Sequence, residues 1–254
     1  MAGEENEKER VDLIRFFKPI YNVLGFENMH ERTNNIELVT FDLDGTLVDF
    51  LQISFLSTNY ALENMGLQMR SLEEYLSFFQ KNLPHKQVLD ALLGQDRNKS
   101  MENELIRLYQ SYFLKNHLIH TFLLPGVRET LQLLKNNGIS IALATRRPRQ
   151  VVFEQLQKFK ITEFFKAVVA FEDTGIAKMK PHPASVNMIL EKLEISPENC
   201  VLIGDSPIDA DAGKAAGTRV FLLTTGPYGK EVLASKNPDT ILQSLADLKN
   251  VLEL

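Results

Sequence analysis

The sequence predicts a doubly wound α/β fold, a parallel sheet covered by helices on both faces, with a helical unit inserted near its start. Three observations carry that expectation. Short apolar, β-branched runs of strand length recur along the chain. Amphipathic stretches of helix length lie between the later runs, the alternation that builds parallel sheets. The first interval breaks this rhythm, because about 94 residues lie between Asp44 and Ile139, far more than a helical crossover needs.

Taken in order, residues 1–36 form an N-terminal extension. Its segment VDLIRFFKPIYNVLGF (11–26) is amphipathic but carries Pro19, so a kinked helix or two short turns is expected. IELVTFDLD (36–44) reads as the first buried strand. Residues 51–121, rich in Leu, Phe, Glu and Gln with helical periodicity, read as a separate helical unit. Its two linkers, near residues 50 and 122, could act as a hinge. PGVRETLQLLKNNG (125–138) is an ordinary crossover helix with a C-terminal Gly138. Four further strands follow at ISIALAT (139–145), AVVAF (167–171), CVLIGD (200–205) and RVFLLT (219–224). The helices between them, at 148–160, 183–193 and 207–217, each open near a proline, which suits a first helical turn. Ser244 to Asp247 is a capping-box start for a last helix. The core is thus expected in 37–50 and 122–254.

Composition narrows the function. With 28 Lys and Arg against 33 Asp and Glu, the formal charge is −5, which gives no global reason to bind nucleic acid or anionic lipid. An apolar fraction of 44% supports a full core. No apolar run approaches the roughly 20 residues that span a bilayer, and MAGEENEKER at the start is charged where a secretory signal needs an apolar stretch. Cys200 is the single cysteine, which removes internal disulfides and disfavours thiolate zinc sites. It is expected as a small buried apolar residue. A cytoplasmic protein is expected, monomer or homodimer, with neither nucleic-acid nor membrane partners.

Chemistry concentrates at strand ends. FDLDGTLVD (41–49) places Asp42 where open α/β sheets bind ligands, with Asp44 able to lie on the same side and Gly45 permitting a sharp turn. One carboxylate can attack an electrophile while the other carries the proton of the leaving group and then of a water. IGDSPIDAD (203–211) repeats the pattern, with Asp205 directly after a strand and Asp209 one helical turn further on. Mg²⁺ takes oxygen ligands, usually one or two carboxylates with substrate phosphate, and Asp42 with Asp205 would supply them. Clustered carboxylates and a phosphate require cations, for which AKMKPHP (177–183) offers Lys178 and Lys180. Thr145, ending the second strand, could donate to a phosphate oxygen.

Asp-x-Asp-Gly-Thr, a long insert, Thr145, Lys-Pro and Gly-Asp-x-x-x-Asp, in that order, resemble the haloacid dehalogenase superfamily. The closer likeness is to its phosphoglycolate phosphatase-like branch, with a helical cap inserted after the first strand of a Rossmann-like core, and it covers roughly residues 37–250. The resemblance implies that Asp42 is the nucleophile, Asp44 the general acid and base, Thr145 a phosphate ligand and Lys180, directly before Pro181, the motif lysine. It implies Mg²⁺ held by Asp42, Asp205 and the Asp44 main-chain carbonyl, with Asp209 in support. The expected activity is Mg²⁺-dependent hydrolysis of a small phosphorylated metabolite, of phosphoglycolate or sugar-phosphate class, through an aspartyl-phosphate. The rivals are a phosphomutase of the same superfamily and an idle fold serving as a binding or regulatory module. Dehalogenase chemistry is disfavoured because those relatives do not keep an acid at the position of Asp44.

Two departures stand out. Relatives often have Asn where this chain has Arg146, followed here by Arg147, and an added cation beside the phosphate would favour a substrate with a second anionic group. Phe50 occupies a position that is often small and polar. Because a cap reads the leaving group, His85, Lys86, Arg97 and Lys99 join Arg146 as substrate-contact candidates. His117 and His120 share a helical face but lack a third ligand for zinc.

Overall fold

A computed structural model describes residues 36–254 apart from Pro84 and the side chain of His85. The expected kinked segment at 11–26 lies outside the described residues. The order of elements is β1 (Leu38–Phe41), β2 (Val48–Asp49), α1 (Leu51–Asn64), α2 (Leu72–Gln80), α3 (His85–Leu93), α4 (Lys99–His120) and β3 (Phe122–Leu123). There follow α5 (Val127–Asn136), β4 (Ser140–Ala144), α6 (Arg149–Lys158), β5 (Ala167–Val169), α7 (Phe171–Lys178) and α8 (Ala184–Leu193). The chain ends through β6 (Cys200–Gly204), α9 (Pro207–Ala215), β7 (Arg219–Leu223), α10 (Lys230–Ala234), β8 (Thr240–Leu242) and α11 (Leu248–Val251).

The main sheet has the order β5-β4-β1-β6-β7-β8, with every neighbouring pair parallel. β1 is central, and all four of its residues are buried because both faces of the sheet are covered. Val39 and Phe41 pack with Val127, Leu131 and Leu134 of α5 and with Val152 and Leu156 of α6. Leu38 points to the other face, with Val186, Ile189 and Leu190 of α8 and Ala212 of α9. This alternation is the period of two that puts successive strand residues on opposite faces. Cys200 lies fully buried in that second cluster, as expected, with its sulfur 3.6 Å from Thr40 Oγ1.

The chain runs outward from β1 to β4 and β5, then crosses back to start β6 on the other side of β1. Successive connections therefore leave β1 and β6 in opposite directions, and this reversal opens a crevice at their C-terminal ends, where doubly wound sheets bind ligands. Phe41 stands level with Leu143 and Ile203, so the residues just after β1, β4 and β6 emerge together at that edge.

The five expected strands form, trimmed by a few residues at their ends. Two features were not anticipated. β8 is a three-residue edge strand whose apolar run is only Ile241 and Leu242, too little to stand out as a strand. The two expected linkers of the insert pair with each other as an antiparallel ribbon, Val48 opposite Leu123 and Asp49 opposite Phe122. The insert itself is helical, as expected: Ala61 and Leu62 of α1 pack with Leu89, Leu92 and Leu93 of α3 and with Leu105 and Leu108 of α4. No helix among the described residues is long and apolar enough to cross a membrane.

Candidate active site

The loop after β1 turns back on itself at once: Leu47 N and Val48 N both donate to Leu43 O, and Gly45 N donates to Val48 O. Gly45 sits at φ +76°, a left-handed conformation that L side chains rarely adopt. Asp205 provides a second reason for glycine there, because a Cβ on Gly45 would lie 2.2 Å from its Oδ2 and one on Gly226 would lie 1.8 Å from the same atom. The loop after β7 completes this cradle, with Thr225 Oγ1 donating to Gly45 O at 2.6 Å. Neither Thr225 nor Gly226 was singled out from the sequence. A glycine just beyond a strand end was the only local signal for them.

Four charged groups meet in the crevice. Lys180, only 2% exposed, donates from Nζ to Asp42 Oδ1 at 2.7 Å and to Asp209 Oδ1 at 2.6 Å. Asp42, Asp205 and Asp209 each bring one oxygen within 4.8 Å of the others. Both oxygens of Asp209 are engaged, Oδ1 by Lys180 and Oδ2 by the Ser206 hydroxyl. Lys178 is exposed, so the prolyl-adjacent lysine is the one that reaches the carboxylates, as expected.

The electrostatics of this cluster are unbalanced. Unit charges about 4 Å apart at an effective dielectric near 20 interact by about 4 kcal/mol, and here three carboxylates face one ammonium. Burial pushes Asp42 up to about 7, with Lys180 pulling it down and Asp209 and Asp44 raising it further. Asp205 is held well above the ordinary carboxylate range by burial, then by Asp209 and Asp42. Lys180 moves the other way. Burial alone would lower it, but the two aspartates outweigh that and keep it above its usual value. A hard divalent cation suits this all-oxygen donor set and offsets its excess charge.

Asp44 lies close enough for its charge to raise Asp42 and Asp205, but its side chain is engaged elsewhere. Its Oδ2 accepts from Arg147 Nε, while Oδ1 is buried with no hydrogen-bond partner among the described residues. Thr145 is buried at the end of β4, and its Oγ1 accepts from Arg147 N at 3.2 Å, leaving the hydroxyl proton available. Arg146 is exposed, with its charge acting on Tyr228, which also feels Asp205 and Asp209, whereas Arg147 turns inward to Asp44. Adjacent residues leaving a strand point in different directions, and composition cannot tell which one does so.

The insert candidates fall elsewhere. Arg97 is spent within the insert, paired with Asp90 of α3 and, at 3.1 Å, with Glu102 of α4. Lys99 is exposed and also pairs with Glu102, at 3.0 Å. Lys86 is exposed, and the side chain of His85 lies outside the described residues. Among the described ion pairs, none joins Lys86, Arg97 or Lys99 to the carboxylate cluster. Inside the insert a hydroxyl cluster joins Ser54 Oγ to Tyr75 Oη at 2.7 Å and to Tyr109 Oη at 2.9 Å. They sit on helical faces that read simply as core. Phe79 of α2 packs edge-on against Tyr228 beyond β7 at 5.6 Å, so insert and core also touch on that side.

Similarity to known proteins agrees with this arrangement. The family model for haloacid dehalogenase-like hydrolases matches residues 39–223. A phosphoglycolate phosphatase of Aliivibrio fischeri is 31% identical over 231 residues, covering 87% of this chain and 98% of that protein. The pyrophosphatase PpaX of Bacillus pumilus is 30% identical over 223 residues, covering 87% and 97%. The crystal structure of a predicted phosphoglycolate phosphatase from Haemophilus somnus superposes with a TM-score of 0.74 at 28% identity, covering 85% of this chain and 98% of the other. The motifs in their order, the β5-β4-β1-β6-β7-β8 succession of sheet strands and the match over most of the length lead to one conclusion: the chain is an enzyme of the haloacid dehalogenase-like hydrolase family.

Proposed function

We propose that this enzyme is a Mg²⁺-dependent phosphatase that hydrolyses a small phosphorylated metabolite, of phosphoglycolate or sugar-phosphate class, through an aspartyl-phosphate on Asp42. The observation that carries the reading is the position of Asp42: it ends the central strand at the crevice, 2.7 Å from Lys180 and beside two further carboxylates. The likeness to phosphoglycolate phosphatases supports the phosphoglycolate side of that class.

In the first half-reaction a carboxylate oxygen of Asp42 attacks phosphorus and the ester oxygen departs. Asp44 gives that oxygen a proton. In the second half-reaction Asp44 takes a proton from water, the water oxygen attacks the phosphorus of the acyl phosphate, and phosphate leaves with Asp42 restored. Lys180 neutralises charge on Asp42 and on the transferring group, and Thr145 donates to a phosphate oxygen. Asp209 holds Lys180 and Ser206 with both its oxygens, which suits support better than direct ligation. Asp42, Asp205 and the Asp44 carbonyl would hold Mg²⁺, whose bound charge stabilises the anionic oxygens of the reacting phosphoryl group. The insert acts as a cap, excluding water and reading the leaving group.

The test is phosphate release from a panel of phosphorylated metabolites with Mg²⁺ and with excess chelator. Metal-dependent release from small phosphomonoesters is expected. Isomerised sugar phosphate without free phosphate would make the enzyme a mutase, and inertness across the panel would favour the binding-module reading.

A further inference from the structure

Arg147 stands where the core, the insert and Asp44 meet. Its backbone belongs to the core: its N donates to Thr145 Oγ1 at 3.2 Å and its carbonyl accepts from Phe171 N at 3.0 Å. Its guanidinium reaches toward the insert, 4.2 Å from the ring centre of Phe113 on α4 and 5.9 Å from that of Phe50 at the head of α1. Stacking on rings and bonding a carboxylate at once suits the planar guanidinium and would not suit an ammonium. The bonded carboxylate is that of Asp44, through Nε. The pair is secluded, with Arg147 18% and Asp44 17% exposed.

Phe113 is itself fixed in place. Tyr109, Phe113 and His117 are spaced four apart and stack along one face of α4, with ring centres 6.0 Å and 5.6 Å apart and planes inclined by 15° and 5°. One end of the row is tied inside the insert, where Tyr109 Oη meets Ser54 Oγ of α1. The other end reaches the core. His117 Nε2 lies 3.1 Å from Glu154 Oε2 on α6, within ion-pair distance although not aligned for a hydrogen bond, and Nδ1 lies 3.1 Å from Leu114 O. Any displacement of the insert over the sheet therefore moves the Phe113 ring relative to Arg147.

Asp44 is gripped by one oxygen only. Oδ2 belongs to Arg147, and Oδ1 is buried without a partner among the described residues. A carboxylate held this way is aimed, because rotation of the free oxygen would break the bond to the held one.

We propose that Arg147 is a positioning residue. Seated by Phe113 of the insert, it orients the Asp44 carboxylate so that Oδ1 faces the ester oxygen when the insert lies against the core as here. The inference rests on the phosphatase reading and adds to it a physical link between the insert and the acid.

The test compares an aryl ester, p-nitrophenyl phosphate, whose leaving group needs little protonation, with an alkyl ester, ethyl phosphate, whose leaving group needs it. Full-length wild type, Arg147→Met and Phe113→Leu are assayed with Mg²⁺, with folding checked by circular dichroism and melting. In Arg147→Met, kcat for the alkyl ester should fall at least about tenfold further than for the aryl ester, a share of the roughly 10²–10⁴-fold that a well-placed acid supplies. KM should change little. Phe113→Leu leaves Arg147 and Asp44 intact, and should shift the ratio the same way by about threefold, a smaller share of the same effect. If Arg147→Met fails to fold, Phe113→Leu still decides the matter. Equal losses on both esters, a loss confined to KM, or a wild-type ratio in Phe113→Leu would each overturn the inference while leaving the phosphatase reading intact. A wild type inert on both esters would overturn both.

Discussion

Asp42 and Asp44 are two residues apart on one loop, yet they stand among different neighbours. Asp42 touches Lys180 and shares a space with Asp205 and Asp209, whereas Asp44 faces Arg147 and keeps one buried oxygen unpaired among the described residues. The roles should separate accordingly. Asp42→Asn should abolish turnover on every ester, while Asp44→Asn should still be phosphorylated by an activated aryl phosphate and then hydrolyse slowly. Mass spectrometry of quenched protein would show a phosphoryl group on the peptide containing residue 42, and a burst from Asp42→Asn instead would reverse the assignment. Lys180→Ala strands the fully buried Asp209, and breaking a buried pair costs about 3–5 kcal/mol. The exposed Lys178→Ala should stay within about 0.5 kcal/mol of wild type, as surface substitutions do. Urea titrations would compare the two. Burial pushes the Cys200 thiol up to about 11 from 9.0. Between those values only the unfolded chain loses the proton, so this residue lowers stability as pH rises above 9 and has no effect below. Its fully buried sulfur should resist Ellman's reagent at pH 8 in native protein and react once per chain in denaturant.

At the scale of elements, the insert is a set of helices that share one apolar cluster and are pinned at α3 and α4 by Arg97. That side chain is 11% exposed and its partner Asp90 29%, between the surface and buried cases. Arg97→Ala should therefore cost about 1–2 kcal/mol of stability, while KM for a small ester stays unchanged. A raised KM with unchanged melting would restore Arg97 as a substrate contact. The β2/β3 ribbon shows why the linkers were hard to read. Each strand is two residues long, and pairing of Val48 with Leu123 spans the whole insert, so neither strand has a local pattern of its own.

For the whole molecule, folding brings like charges together at the switch point of the sheet. Burial against mutual repulsion is destabilising until a cation joins them, so Mg²⁺ should raise the melting temperature. At 100 times its Kd, a ligand that binds only the folded state adds about 2.7 kcal/mol. Asp205→Asn should melt at least as high as wild type without metal, because one of the repelling charges is gone, and should gain much less on adding Mg²⁺. A melting temperature indifferent to Mg²⁺ in the wild type would remove the metal from the site.

The strands, the helical nature of the insert and the strand-end positions of Asp42, Thr145 and Asp205 were legible in the sequence. Buried parallel strands are continuous apolar runs, helices repeat their apolar positions, and a residue that follows such a run must emerge at the edge of the sheet. All of this is local information. Which side chains meet there was settled by tertiary structure. Lys180 reaches Asp42 across 138 residues and Arg147 reaches Asp44 across 103. The inward turn of Arg147 in place of Arg146, the engagement of Arg97 by Asp90 and the closure of Gly226 over Asp205 depend on how helices and loops pack over distant strands. Hydrophobic periodicity specifies the face a residue occupies. The partner it finds depends on the crossing of elements far apart in the chain, to which no local pattern is sensitive.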